Sequence, residues 1–531
     1  MEPLTKTDYL NALQCSLYAW HSFNKPLDIP DLNEVEEDRL EQGRIVGELA
    51  RTLYSNGMSV KGDTVKSNLK NTQESLNEGV ALFEAGFEYE GSYVRTDILV
   101  PGENGAWDII EVKSSTSVDK ANIHDVAFQK YVCENAGLNV GKCYVAHINK
   151  EYIKNGEIDP QQLFVLEDIS GGVEQAYQAN PKGANDLLKM NIEDRVNAII
   201  DVISSEEPPG KHEDMIGQHC VKAKIYKNEH ACPLKKKHWK HLPQYNVFEL
   251  CGGWKKSLEL VEMGIKTIDK IPEDYELNDK QTIQKWCVET GEKYIDTAAI
   301  KGLLDTLEYP LRFMDFETRA TAIPKFDGTK PYDQIPFQFG VHVQEKDGDE
   351  IKPISFIDLE QGDPRLRFLE NLKNAVGDEG SVIVQYEPFE KARLRELKEV
   401  FPQHSEWVDN LLERIVDIYP LFKNFSVHDK SQKGSASIKY VIPMMIGESY
   451  EDDAITNGLQ AGVVYEHLIS GEATSFELTE HKEWLEHYCS GMDVGGMALV
   501  VEELKKIAKS GEDTTDQVQL PPPKKKKSKK K

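Results

Sequence analysis

Two short stretches place acidic residues where strands could present them together. In YVRTDILV, Asp97 interrupts an apolar run, and in IIEVKSST, Glu111 and Lys113 stand two apart. Successive side chains of a strand alternate between faces, so Glu111 and Lys113 share a face and Val112 takes the other. Two carboxylates and an ammonium brought together suit phosphodiester hydrolysis. The carboxylates can hold Mg²⁺ or Mn²⁺, while the lysine positions or activates the attacking water and offsets developing charge. On a surface hairpin the same pattern would be solvated charge. PLRFMDFETRA repeats the spacing with Asp315 and Glu317 at the end of an apolar strand, a geometry that can bind one or two divalent ions. Taken alone, Asp-x-Glu is also what a water-facing strand end carries. A third concentration of donors lies at 216–252, where Cys220, Cys232 and Cys251 stand among His219, His230, His238 and His241. Clustered cysteines are candidates for holding a metal in place of an apolar core.

The elements that must position these residues follow from pattern. At 531 residues the chain should hold about three domains. Hydrophobic residues are 39% and charged residues 29%, the balance of a soluble globular protein. No run of about 18 apolar residues occurs, and MEPLTKTDYLNALQ lacks the apolar segment of a signal peptide, so a cytoplasmic protein with no membrane partner is expected. Eight cysteines are too sparse for a disulfide framework. A net charge of −27 argues against adhesion to nucleic acid through a uniformly basic surface. The seven lysines in PPPKKKKSKKK are a compositionally separate tail that reads as disordered.

Apolar periodicity predicts a helix over 1–20 and another over 40–53, strands over 93–100 and 109–112, a helix over 122–136, a strand over 142–148 and helices through 160–205. Further on, short helices are expected over 253–305. Strands follow at 310–316, 338–343, 382–386 and 414–418, with helices at 364–375, 388–399 and 480–508. This is an α/β chain.

The run VRTDILV, IIEVKSST, AFQKYV resembles the PD-(D/E)xK nuclease superfamily, in its RecB-like and CRISPR-adaptation-nuclease branch. The resemblance covers about residues 1–250. It implies a restriction-endonuclease-like domain with catalytic Asp97, Glu111, Lys113, Gln129 and Tyr131. The branch often carries an early G-x-x-x-H helix, where this chain has Gly43 to Gly47, and the adjacent Glu48 reads as an exposed helix residue. The branch also closes its domain with one early and three late cysteines around a [4Fe-4S] cluster. Cys15, Cys220 and Cys232 fit that plan, with His238 where the fourth cysteine would be and Cys251 as another way to complete the set. Four thiolates are the usual cluster ligands, whereas three thiolates and an imidazole are equally a structural Zn²⁺ set, and single cysteines are commonly inert buried thiols.

The second pair sits in a wider pattern. PYDQIPFQFGVH, VQYEPFEKARLREL, VDIYPLF, GSASIKYVIP and YCSGMDVGGMALV, in that order, resemble domain of unknown function 2779 over residues 306–508, a family assigned to the DnaQ-like 3′–5′ exonucleases of RNase H fold. The resemblance implies a two-metal site of Asp315, Glu317, Glu390 and Asp493, with Asp417 supporting or structural. Two departures stand out: Glu387 occupies the place of an expected Asn, and Tyr488 precedes Asp493 by one residue more than in Y-x-x-x-D, with Cys489 at the i−4 position.

The expected organisation is a nuclease domain at 1–215, its Cys/His-rich closure at 216–252, a helical linker at 253–305, a DnaQ-like domain at 306–510 and a lysine-rich tail at 511–531. The expected function is metal-dependent hydrolysis of nucleic acid, DNA rather than RNA, in repair or in defence against foreign DNA. The alternative is a nucleic-acid-binding scaffold with one or both sites degenerate.

Overall fold

The computed structural model describes every residue except 1, 61, 184, 212–214, 221–231, 451–452 and 522–531, so the lysine run and His230 lie outside the described residues. The chain divides into two compact units, Met1–His241 with Thr321–Asp333, and Leu242–Ala320 with Gln334–Lys531. Among the described residues no helix is long and apolar enough to cross a membrane.

The first unit is built on a six-stranded sheet of β1 (Met58–Ser59), β2 (Leu82–Tyr89), β3 (Ser92–Pro101), β4 (Trp107–Lys113), β5 (Val140–Ile148) and β6 (Phe164–Asp168), in that spatial order. β2, β3 and β4 run antiparallel, and β5 lies parallel to β4. Glu90 and Gly91 join β2 to β3 with φ of 41° and 75°, the left-handed pair that a two-residue hairpin requires. The helix Lys120–Asn135 makes the crossover from β4 to β5, capped by Asp119 through a reciprocal box with Asn122. It is buried almost all round and shows little amphipathic pattern for that reason. Phe128 of this helix stacks on Tyr9 at 4.6 Å, and the buried Arg195 donates to the Tyr9 hydroxyl at 2.9 Å, tying the N-terminal helix to the core.

Three expectations change here. The helix over 1–20 is two helices, Lys6–Gln14 and Ser16–Asn24, broken where Cys15 turns extended. The helical reading of 160–205 misses β6, an edge strand whose Val165 and Leu166 stay exposed and so give no buried-strand signal. The strand β2 also escaped the pattern.

The second unit contains β7 (Tyr294–Ile295), β8 (Leu311–Arg319), β9 (Ile335–Gln344), β10 (Lys352–Ile357), β11 (Val382–Val384), β12 (Ile415–Asp417) and β13 (Val427–His428). Five of them form a mixed sheet in the order β10, β9, β8, β11, β12, antiparallel among the first three and parallel from β8 onward. Both faces are covered. Leu311 and Phe313 of β8 enter one core with the helices Ile438–Ile446, Gly458–Ile469 and Gly496–Ser510. Met314 and Phe316 enter the other with Arg365–Val376 and Glu387–Val400. Such a doubly covered strand reads as a continuous apolar run.

The expected boundaries shift accordingly. Residues 242–252 fall with the second unit rather than with the nuclease closure. The 253–305 segment is not a linker: Ile295 and Ile300 lie in the second unit's core, and β7 pairs with β13. Residues 321–333 belong to the first unit, where the Tyr332 hydroxyl donates to the Ser114 carbonyl at 2.6 Å. The start of the expected tail is structured, since Thr514 N–H donates to the Ile295 carbonyl at 3.0 Å and Val518 is buried.

Candidate functional site

In the first unit, β3 and β4 pair Ile98 with Ile110, and continuing that register one step sets Asp97 across from Glu111. The strand parity holds: Lys113 Nζ donates to Glu111 Oε1 at 2.6 Å. From the crossover helix, Gln129 donates to Glu111 Oε2 at 2.7 Å. Two further residues complete the group. Asp125, four before Gln129 and so on the same helical face, accepts from Lys113 at 2.8 Å and from Gln129 at 2.9 Å. Lys6, the first residue of its helix, reaches Asp97 Oδ1 at 3.1 Å and both Glu111 oxygens at 2.9 and 3.1 Å. The other Asp97 oxygen accepts the Val112 N–H at 2.8 Å.

Burial and the neighbouring Glu111 push the Asp97 carboxyl up to about 6 against the pull of Lys6 and Lys113. Burial would raise Glu111 as well, but the Lys113 and Lys6 ammoniums outweigh it and hold the carboxyl well below its usual range. Lys113 is held above its ordinary value, because its carboxylate neighbours Asp125 and Glu111 outweigh burial, and it stays an ammonium. Tyr131 is not brought to this group. It lies 200° round the helix from Gln129 and meets Tyr89 edge to face at 6.0 Å. Glu48 is exposed and pairs with Arg44 along its own helix.

The cysteine set is drawn together only in part. Cys232 N–H donates to the Cys220 carbonyl at 2.9 Å, and burial, with Cys15 and Cys220 close enough to add to it, pushes the Cys232 thiol up to about 12. The His238 ring packs against His21 at 5.5 Å. Among the described residues the three metal-type donors gathered within 4.8 Å of one another lie elsewhere. Cys251 packs in the second unit, where its N–H donates to Gln284 at 2.8 Å.

That gathered trio is Asp315, Glu317 and Cys489 in the second unit. β8 pairs Asp315 with Gly340 and Glu317 with Gln338 of β9. Gln338, Gly340 and His342 therefore share the face of the acids; Gly340 and His342 seat the segment His487–Gly495, and Gln338 holds the end of the helix Ser475–Glu486 that leads into it. Gln338 donates to the Leu485 carbonyl at 2.7 Å, and His342 lies 3.1 Å from the Ser490 hydroxyl. A Cβ at Gly340 would stand 2.9 Å from Val494 and 3.0 Å from the Ser490 backbone, so glycine is what admits the segment. His487–Gly495 is a π-helix, which accommodates one extra residue per turn. The one-residue departure between Tyr488 and Asp493 is absorbed there, and Tyr488 comes near enough to Asp493 to favour its charged form. The Tyr450 hydroxyl donates to Asp493 Oδ1 at 2.6 Å.

Glu390, in the first turn of Glu387–Val400, is buried with its Oε2 lacking a hydrogen-bond partner and with Asp315 as its strongest charged neighbour. Burial and Asp493 push Asp315 up to about 8, and burial raises Asp493 to about 6 against its tyrosine donors and Lys439. Glu317 and Glu390 are held well above the usual range by burial and by Asp315. Burial and the same acids keep Cys489 a thiol, which donates to the Asp315 carbonyl at 3.8 Å. Lys439 lies 5.2 Å from the Tyr488 ring. Asp417 is structural: it accepts N–H groups from Tyr386, Glu387 and Tyr419 and sets the start of the Glu390 helix.

Both acidic groups fit divalent cations. At the first, two carboxylates already converge on one cation, the Lys6 ammonium, and at the second a buried carboxylate oxygen lacks a donor. Sequence reasoning missed Lys6, Asp125, Lys439 and Tyr450. Only Asp125 left a signal, its i−4 spacing from Gln129.

The chain is thus a mixed α/β protein with a carboxylate-rich centre in each of its two units. Residues 312–437 match the family described as Domain of unknown function (DUF2779), a stretch that includes Asp315, Glu317 and Glu390 but stops short of Asp493. No curated protein matched the chain.

Proposed function

We propose that the protein is a metal-dependent nuclease with two heads, a PD-(D/E)xK head of RecB-like type and a DnaQ-like head of RNase H type. The observation that carries the reading is the convergence of Asp97, Glu111 and Lys113 from two strands, braced by Gln129 and Asp125 from the crossover helix. Bound Mg²⁺ or Mn²⁺ would polarise the phosphate and lower the pKa of an attacking water.

Asp97 and Glu111 would hold the ion at the first head, with Gln129 fixing the Glu111 carboxylate. Lys113, kept as an ammonium between Glu111 and Asp125, stabilises charge on the phosphate and does not serve as a base. At the second head Asp315, Glu317, Glu390 and Asp493 would hold the ions, and Tyr450 and Tyr488 orient Asp493. The resemblance of the first head favours DNA as substrate, in repair or defence. Cys15, Cys220 and Cys232 with His238 would serve a [4Fe-4S] cluster or, alternatively, Zn²⁺, and iron and zinc analysis of anaerobically purified protein decides between them.

The deciding experiment incubates the full chain with labelled single- and double-stranded DNA and RNA in Mg²⁺, Mn²⁺ or EDTA, alongside Asp97→Asn and Asp315→Asn. Cleavage that needs the metal and falls in these variants is expected. Cleavage unchanged by both would overturn the reading. A nucleic-acid-binding scaffold is the second reading, favoured by Lys6, which satisfies Asp97 and Glu111 with no metal at all.

A further inference from the structure

The two lysines of the first site are held in different ways. Lys113 is anchored by Asp125 as well as by Glu111. Both ion pairs of Lys6 are to Asp97 and Glu111, the two carboxylates that would bind a divalent ion. Lys6 also occupies the first turn of a helix, where the positive end of the helix dipole disfavours an ammonium, so its placement depends on those two partners. Its side chain keeps 27% exposure, and its Cα is fixed by the Thr5 capping box while a flexible four-carbon stem carries the charge.

Charge counting shows what a divalent ion would change. Asp97, Glu111 and Asp125 against Lys6 and Lys113 leave one negative charge in excess. A divalent cation between Asp97 and Glu111 turns that into one positive charge in excess, the complement of one phosphodiester. It also takes both of Lys6's partners and repels its ammonium at short range.

We propose that Lys6 is a substrate-positioning residue of the first site: its ammonium bridges Asp97 and Glu111 until a divalent cation displaces it, and it then pairs with the phosphodiester backbone of the nucleic acid. This rests on reading the site as a metal-dependent nuclease. It makes Lys6 a competitor of the metal and a helper of the substrate, two effects of opposite sign that a purely structural lysine would not combine.

The test uses the full chain carrying Asp315→Asn and Glu317→Gln, so that metal binding and cleavage report the first site. Mn²⁺ binding is measured by calorimetry, and KM and kcat on labelled single-stranded DNA are measured for Lys6→Met and Lys6→Arg. Lys6→Met should bind Mn²⁺ about tenfold more tightly and show KM for DNA raised about tenfold, with a smaller change in kcat. Lys6→Arg should restore the DNA KM. Mn²⁺ affinity that is unchanged or weaker in Lys6→Met, with the circular dichroism melt intact, overturns the displacement. Tighter Mn²⁺ with an unchanged KM overturns the substrate role. If the parent binds Mn²⁺ yet cleaves nothing, the nuclease reading fails, while the calorimetric comparison still decides whether Lys6 competes with the ion.

Discussion

The two acidic centres solve the same electrostatic problem in opposite ways. At the first, buried Glu111 is surrounded by donors: Lys6, Lys113 and Gln129 all reach it. The site carries its own counter-ions, and the fold is organised around an ionised carboxylate. At the second, the half-buried Asp315 and the buried Glu317, Glu390 and Asp493 are gathered together, with Lys439 the one cation among the charges felt by Asp315, Glu317 and Asp493. Burial and mutual repulsion are relieved there by protons. A preassembled ion-pair network is robust without metal, whereas an uncompensated acid cluster depends on what binds it.

Removing one acid should therefore have opposite consequences in the two units, and this is the largest expected contrast. Glu111→Gln takes one of two carboxylate partners from each of two ammoniums, leaving Lys6 only Asp97 and Lys113 only Asp125, and should destabilise the first unit by about 2–4 kcal/mol. Asp315→Asn removes a repelling charge and should stabilise the second by about 1 kcal/mol at pH 9. Hydrogen exchange resolved to each unit measures both, and equal signs would break the comparison.

Packing should matter more at the second centre, because a backbone-to-backbone approach builds it. Gly340→Ala forces a methyl against Val494 and Ser490 and should cost about 1–3 kcal/mol. It should also lower Mn²⁺ affinity at the second site, read by calorimetry. Tyr450→Phe, which keeps the ring and removes the hydrogen bond to Asp493, should slow second-site cleavage about tenfold in a Lys113→Met background with the melt unchanged.

The smallest effect sharpens the contrast through pH. Asp315 is raised to about 8 from an ordinary 3.8, so its stabilising contribution is complete below about pH 4 and is lost as pH climbs to 8. Asp493, raised to about 6, acts in the same direction. At the first site Asp97 finishes the same change near 6, and the depressed Glu111 contributes only above its ordinary value of 4.5 and is lost as pH falls. Between pH 7 and 9 in EDTA, the second unit should lose melting temperature by a few degrees and the first should stay level. Mn²⁺ should restore the second.

What could be read along the chain was whatever a strand or helix period carries. Glu111 and Lys113 share a face because strands alternate, and Asp315 and Glu317 do so for the same reason. Asp125 and Gln129 follow the helical period, although only Gln129 was singled out. Tyr131, two residues on, is turned by that same period away from the face of Gln129 and toward Tyr89.

A strand without a buried alternating face, such as β6, leaves no period to read, and the 253–305 segment hides its core residues because their partners lie far away in sequence. Lys6 is the clearest case of what tertiary structure alone decided. Nothing distinguishes it from any polar lysine at a helix start until the fold carries it across 105 positions to Glu111. The π-helix is another: the extra residue before Asp493 reads as a defect in sequence. In three dimensions a wider turn absorbs it, because Gly340 lets the segment settle against β9. Local periodicity is written in neighbouring residues, but the meeting of charges from separate elements depends on packing that no short window contains.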